Sequence, residues 1–146
     1  MCENILNKIY INYMFVQFDY SKFPNVYVTF GKLNSNEEFN ILTNEWLRLY
    51  KQQLPFTFIF DSSNLEVYNI KYSFKMSAFI HRLKKEPKQY LQKSIILVKN
   101  SFIQNLLDLI FFIQSPVAPV YIVREEEDIQ KILCGEEVER CKIIYP

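Results

Sequence analysis

Residues 55–65 read Pro-Phe-Thr-Phe-Ile-Phe-Asp-Ser-Ser-Asn-Leu, and this stretch decides the fold. The five residues from Phe56 to Phe60 are aromatic or β-branched, and an Asp-Ser-Ser-Asn cluster follows them. A continuous run of apolar β-formers that ends in polar loop residues is typical of a strand buried on both faces. We therefore predict a central strand here, with the remaining elements arranged around it.

Strand-like and helix-like segments alternate on both sides of this stretch. Upstream, β-formers at 9–20 and 25–32 predict a hairpin, after a frayed or helical lead-in at residues 1–8. Downstream, Lys93–Val98 and Val120–Val123 have the composition of short buried strands. The chain thus predicts five strand segments, two of which form the hairpin.

Four helices are predicted between these strands. Ser35 and Glu38 form a capping box, in which Ser35 is the N-cap and Glu38 reaches back to the Ser35 amide. A second helix covers Lys71–Leu83, a third begins at its cap Ser101 and ends at Ile113, and a short fourth is opened by Glu125–Asp128 and ends at Gly135. The buried faces predicted for the first three helices are Phe39, Leu42, Trp46, Leu49 and Tyr50; Tyr72, Met76, Phe79, Ile80 and Leu83; and Phe102, Leu106, Leu109 and Ile113.

Alternating strands and helices indicate an α/β protein. We predict one domain over residues 1–146, with a mostly parallel sheet of four or five strands, entered by a β-hairpin and packed with about four helices. The chain shows no internal repeat and no linker. At 146 residues it is long enough to bury a core without disulfides or metal.

Several local strings resemble the SpoIIAA-like superfamily, which includes STAS domains and small STAS/CRAL-TRIO-related proteins. They are Glu37–Phe39, Phe58–Leu65, Ser94–Ser101 and Val117–Val123, and the similarity covers about residues 20–134. The resemblance implies a SpoIIAA-like fold without a catalytic fingerprint. The family's phosphorylated serine position corresponds here to residues 68–72, which contain neither serine nor glycine, so the phosphoserine switch is not implied. The longer lipid-enclosing relatives have extra helices that this chain lacks.

The composition limits the class of protein. Apolar residues make up 49% and the formal charge is +1, which fits a globular protein and gives no field that would attract nucleic acid. Cys2, Cys134 and Cys141 have no metal-ligand spacing and predict free thiols in a reducing compartment. No secretion signal and no transmembrane segment is recognised, so we expect a cytoplasmic protein. Abundant Phe, Tyr, Ile, Asn and Lys suggest an A/T-rich genome, such as that of a parasite, a low-GC bacterium or a large DNA virus.

The sequence offers no catalytic constellation. It contains no glycine-rich phosphate loop and no nucleophile elbow, and two glycines are too few to build them. His81, the one histidine, falls on the outer side of its helix. We therefore expect no enzyme activity, no metal and no cofactor.

A protein contact is the first functional hypothesis. Ile103, Leu107 and Phe111 form a second apolar row on the third helix, and Phe74 lies on the outer side of the second helix. One apolar stripe is enough for a helix that covers a sheet. These four residues are thus interface candidates for a protein partner or a homo-oligomer, unless neighbouring helices cover them. The corresponding function is a structural or regulatory interaction module that self-associates through the second and third helices.

Binding of a lipid or another anionic small ligand is the alternative hypothesis. Asp61, Ser62 and Ser63 follow the central strand, where α/β sheets often bind ligands, although such side chains also simply cap loops. The second helix carries a basic stripe, which could bind phosphates, the acidic headgroups of a lipid surface or an acidic partner, or could be a solvated face. The stripe consists of Lys71, Lys75, Arg82 and Lys85.

Overall fold

The computed structural model describes residues 10–12 and 14–146. The predicted lead-in at residues 1–8, and Cys2 within it, lie outside the described residues. The described strands are β1 (Tyr10–Asn12), β2 (Val16–Asp19), β3 (Asn25–Phe30), β4 (Phe56–Asp61), β5 (Leu91–Leu97), β6 (Val120–Val123) and β7 (Lys142–Ile144). The described helices are α1 (Asn36–Lys51), α2 (Lys71–Leu83), α3 (Ser101–Ile113) and α4 (Glu126–Leu133).

The strands form one mixed sheet in the order β1-β2-β3-β4-β5-β6-β7. β3 to β6 are parallel, whereas β1, β2 and β7 pair antiparallel with their neighbours. The α/β class and the hairpin entry are confirmed. The predicted number of strands is wrong, because seven strands are present in the described chain. The added strands β1 and β7 have three residues each, too few to show a clear alternation.

The predicted strand at 9–20 is in fact two strands, because the chain reverses between β1 and β2. Met14 lies at this reversal with its side chain 97% exposed, and the Phe15 carbonyl accepts a 2.6 Å hydrogen bond from the Gly31 amide. A Cβ atom on Gly31 would lie 3.1 Å from the Met14 carbonyl oxygen. The close approach of the two backbones here therefore favours glycine.

The central position of β4 is confirmed. It pairs in parallel with β3 on one side and β5 on the other, and every residue from Phe56 to Phe60 is buried. Phe56, Phe58 and Phe60 join the main core, while Ile59 joins a smaller cluster on the opposite face. A strand buried on both faces needs this uninterrupted apolar run.

Three helices share one face of the sheet. Buried side chains of α1, α2 and α3 pack with those of β2 to β6 in the main core. α4 covers the opposite face, where Ile129 and Ile132 pack on Ile59, Ile95 and Leu97. Right-handed crossovers between neighbouring parallel strands place successive helices on the same face, which explains the main layer.

Helix ends follow local chemistry, with two corrections. Ser35 Oγ accepts a 3.2 Å hydrogen bond from the Glu38 amide, as predicted, but the Glu38 carboxylate accepts from the Asn34 amide at 2.7 Å instead of that of Ser35. The N-cap of α3 is Asn100 instead of Ser101, since Asn100 Oδ1 accepts from the Ile103 amide at 2.8 Å. Gly135 has a φ of 80° after α4, which matches its predicted role as a helix stop.

Candidate functional site

An apolar cavity of about 160 Å3 lies between the sheet and the layer formed by α1, α2 and α3. Its walls are aliphatic and aromatic side chains from these helices, from the strands beneath them and from the loop before β6. The lining includes Phe30, Phe60 and Ile96 of the sheet, Trp46 of α1, Met76 and Ile80 of α2, Ile103, Leu107 and Phe111 of α3, and Ala118 of the loop. An engineered cavity of similar volume is known to take up benzene, so this one can hold a ring or a short alkyl chain.

Trp46 is the chain's one tryptophan, and it forms part of the cavity wall. Its ring contacts Phe58 at a centroid distance of 4.9 Å and Phe79 at 5.4 Å, both edge-on, and is 6% exposed. These contacts fix the indole between the helix layer and β4. A molecule that enters the cavity would therefore change the surroundings of the only indole in the protein.

Ser94 places a hydroxyl group on the cavity wall. It lies on β5 beside Phe58 of β4 and Val120 of β6, both in the main core, so its side chain points toward the helices. Ser94 is 4% exposed, and its hydroxyl makes no hydrogen bond to any part of the chain that the structure describes. Buried polar groups normally have a hydrogen-bond partner. The Ser94 hydroxyl can therefore serve as a partner for a bound molecule.

The other serine hydroxyls along the cavity already have partners. Ser62 Oγ donates a 2.7 Å hydrogen bond to the Leu97 carbonyl, and Ser73 Oγ lies 3.5 Å from the Leu106 carbonyl. Ser94 thus differs from both. The sequence signal for it was weak: a single serine in the apolar run 94–98, which we interpreted only as part of a strand.

Hydrogen bonds connect α2 to α3 above the cavity. Ser77 Oγ donates to the Ile110 carbonyl at 3.2 Å, and the bond from Ser73 to Leu106 lies one turn earlier. His81 Nδ1 lies 3.2 Å from Gln114 Oε1, one turn later. Each pair is 33 residues apart in the chain, so α2 and α3 run parallel and in register.

The predicted ligand residues after β4 are divided between two environments. Ser62 is buried on the cavity side, whereas Asp61 and Ser63 form a local turn in which the Ser63 amide donates to Asp61 Oδ1 at 2.9 Å. The Ser63 hydroxyl donates to the same oxygen. This arrangement is the loop capping that we kept as the alternative, and only Ser62 reaches the cavity.

The basic stripe of α2 lies outside the cavity. Lys71, Arg82 and Lys85 are exposed and Lys75 is half-buried. Lys71 Nζ lies 5.1 Å from the centroid of the Tyr72 ring. Across the described chain, no acidic side chain forms an ion pair with these four residues. The stripe is therefore available to an anionic surface.

The predicted orientation of α3 is wrong. Ile103 is 3% exposed, and Leu107 and Phe111 pack against the main core, so these three interface candidates line the cavity. The predicted core residues Phe102 and Ile113 are instead 53% and 44% exposed. α3 is apolar on nearly every side, so its periodicity does not define one buried face, and its packing against α2 decides the orientation. Phe74, the fourth candidate, is 52% exposed.

Burial affects two titrating side chains near the core. Burial raises the pKa of Tyr50 to about 12, and the Tyr50 hydroxyl donates a 2.6 Å hydrogen bond to Gln89 Oε1. Burial likewise raises the pKa of the Cys141 thiol. Cys141 and Cys134 are both free of disulfide bonds. Neither Tyr50 nor Cys141 lines the cavity, so neither side chain can act as an acid or a base on a molecule bound there.

Within the described ranges, no group of three or more His, Cys, Asp or Glu side chains could hold a metal ion. No helix among them has the length and apolar content that would let it cross a membrane. Comparisons of the chain with protein-family models, with curated proteins and with solved structures yield no match. The features of the described chain that bear on function are therefore the cavity and the exposed surface of α2 and α3.

Proposed function

We propose that this protein binds a small apolar molecule that carries one hydrogen-bonding group, in the cavity beneath α1, α2 and α3. The observation that carries the proposal is the cavity itself, with the unpaired Ser94 hydroxyl on its wall. Ligand sites of this kind are lined by apolar side chains and contain a few well-placed polar groups. The proposal keeps the ligand-binding hypothesis but moves the site from the Asp61–Asn64 loop to the cavity that Ser62 lines.

Packing supports a role for the space. The side chains that line about 160 Å3 of unfilled volume lack contact atoms on one side. A bound molecule that fills the space recovers contacts that the empty protein lacks.

The protein-interaction hypothesis is less well supported by the geometry, because three of its four interface candidates lie in the core. The exposed apolar residues of α2 and α3 form a different surface, which consists of Phe74, Phe102, Phe112 and Ile113. The SpoIIAA-like relationship is also part of our proposal. The alternating order of strands and helices on which that resemblance depends supports it.

The test is binding of benzyl alcohol, measured by the fluorescence of Trp46 and by the melting temperature. Benzyl alcohol combines a ring of suitable size with one hydroxyl. We expect a saturable change in Trp46 fluorescence together with a rise in melting temperature. Absence of both in the folded wild-type protein would contradict the proposal.

The chain offers a matched pair of control variants, because it contains two alanines. Ala118 is 5% exposed and lines the cavity, whereas Ala78 is exposed on α2 and does not. Ala118→Phe should fill the cavity and abolish the fluorescence response, and Ala78→Phe should leave it unchanged. Equal responses from the two variants would show that benzyl alcohol binds elsewhere.

A further inference from the structure

The outer surface of α2 and α3 combines large apolar side chains with unpaired bases. Phe112 is 88% exposed, and Phe74, Phe102 and Ile113 are between 44% and 53% exposed. The hydrogen bonds between the two helices hold them parallel and in register, so these side chains lie on one broad face. Large apolar side chains that are exposed together on one face are typical of a contact site.

Bases border this face. Residues 71–88, which form α2 and the loop after it, contain six Lys and Arg residues and one acid, Glu86, whereas α3 contributes one acid, Asp108, and no base. Asp108 is already paired with Lys142 at 3.1 Å, whereas Arg82 and Lys85 make no ion pair within the described chain. The surface thus presents unneutralised positive charge beside exposed phenylalanines.

The opposite side of the molecule has the opposite charge. α4 covers the other face of the sheet, and residues 125–139 around it contain seven acids. A protein that is basic on one face and acidic on the other is oriented by an anionic surface, with α2 and α3 toward it.

We infer that α2 and α3 form a docking surface for a membrane that contains anionic lipids. Lysines and arginines attract the headgroups, and the phenylalanines enter the boundary between headgroups and acyl chains. A symmetric dimer through this face would bring the bases of two copies together, and like charges would oppose it. Anionic lipid satisfies both the charge and the apolar surface. This inference does not depend on a ligand in the cavity.

The test is sedimentation of the full chain with vesicles of phosphatidylcholine, with and without phosphatidylserine, at low and at high salt. We expect binding to the phosphatidylserine vesicles that weakens at high salt, and much weaker binding to phosphatidylcholine alone. Arg82→Ala combined with Lys85→Ala should reduce the partition coefficient roughly 25-fold, because each base near an anionic surface contributes roughly fivefold. Phe112→Ser should reduce it as well.

Two controls make the result specific. Met14→Ser removes an equally exposed apolar side chain from the β1–β2 reversal, and Lys131→Ala removes a base from α4; both should bind vesicles like wild type. Ala118→Phe should also bind vesicles normally, which separates this inference from the proposed cavity ligand. Failure of wild type to bind, equal loss in the controls, or salt-sensitive self-association without vesicle binding would overturn it.

Discussion

The Ser77 hydroxyl of α2 lies 3.2 Å from the Ile110 carbonyl of α3 and 2.8 Å from the Ser73 carbonyl of its own helix. A side chain this small lets the two helices approach closely above the cavity. Ser77 is 3% exposed and does not line the cavity. The same contact sets the rotation of α3 that turns Ile103 and Ile110 toward the sheet.

Replacing Ser77 tests this contact. Ser77→Leu should lower the free energy of unfolding by about 1–3 kcal/mol, because the larger side chain forces the helices apart. Ser77→Ala keeps the close approach and should cost only about 1 kcal/mol for the lost hydrogen bond. Urea unfolding measures both, and equal losses would contradict the packing role.

Ser62 and Ser94, two of the three serines that line the cavity, should respond differently to substitution. Ser94→Ala should leave the free energy of unfolding unchanged or raise it by up to about 1 kcal/mol, because it removes a buried hydroxyl without a partner. Ser62→Ala should lower it by about 1 kcal/mol, since the bond to the Leu97 carbonyl is lost. Urea unfolding distinguishes them, and a larger loss for Ser94→Ala would show that its hydroxyl is already bonded.

Phe111 and Phe112 are neighbours in sequence but should differ strongly in their tolerance of charge. Phe111 packs against the core, whereas Phe112 is 88% exposed. Phe111→Asp should destabilise the protein by more than about 3 kcal/mol, because it both opens space and buries a charge. The free energy of unfolding of Phe112→Asp should lie within about 0.5 kcal/mol of the wild-type value. Circular dichroism during urea unfolding checks this, and the reverse order would mean that α3 is rotated.

The raised pKa of Tyr50 predicts a loss of stability at alkaline pH. Below the ordinary pKa of 10.0 both the folded and unfolded chains keep the proton, so the contribution of the neutral hydroxyl is complete. Between pH 10 and about 12 the unfolded chain loses its proton first, and the free energy of unfolding falls. The stability advantage of wild type over Tyr50→Phe should therefore shrink over this range in urea unfolding. Tyr145→Phe, at a 65% exposed position, should follow the wild-type pH dependence.

Most secondary-structure elements could be predicted because their signals are local. The buried faces of α1 and α2, the strand at Phe56–Asp61 and the stop at Gly135 depend on residues within a turn or two. Strand pairing at the sheet edges could not be predicted from such signals. Local signals predict one strand over 9–20 and do not show the reversal between β1 and β2, and the three residues of β7 form a strand by pairing with β6.

The cavity could not be predicted either, although the sequence predicts that several of its lining residues are buried. Trp46 and Ile80 had been assigned to buried helix faces, but whether buried side chains fill the space between two layers depends on the distance between the layers. Of the seven ligand candidates only Ser62 lines the cavity, and of the four interface candidates only Phe74 is exposed.

The sequence by itself determined the α/β class, the central strand and the boundaries of the helices, because hydrophobic periodicity and capping act between near neighbours. Tertiary structure alone decided which side of α3 is buried, since that helix is apolar nearly all round and its neighbours choose its orientation. It also decided that Ser94 lies on the wall of an unfilled space. Close packing is a property of whole layers, so no single stretch of residues predicts either result.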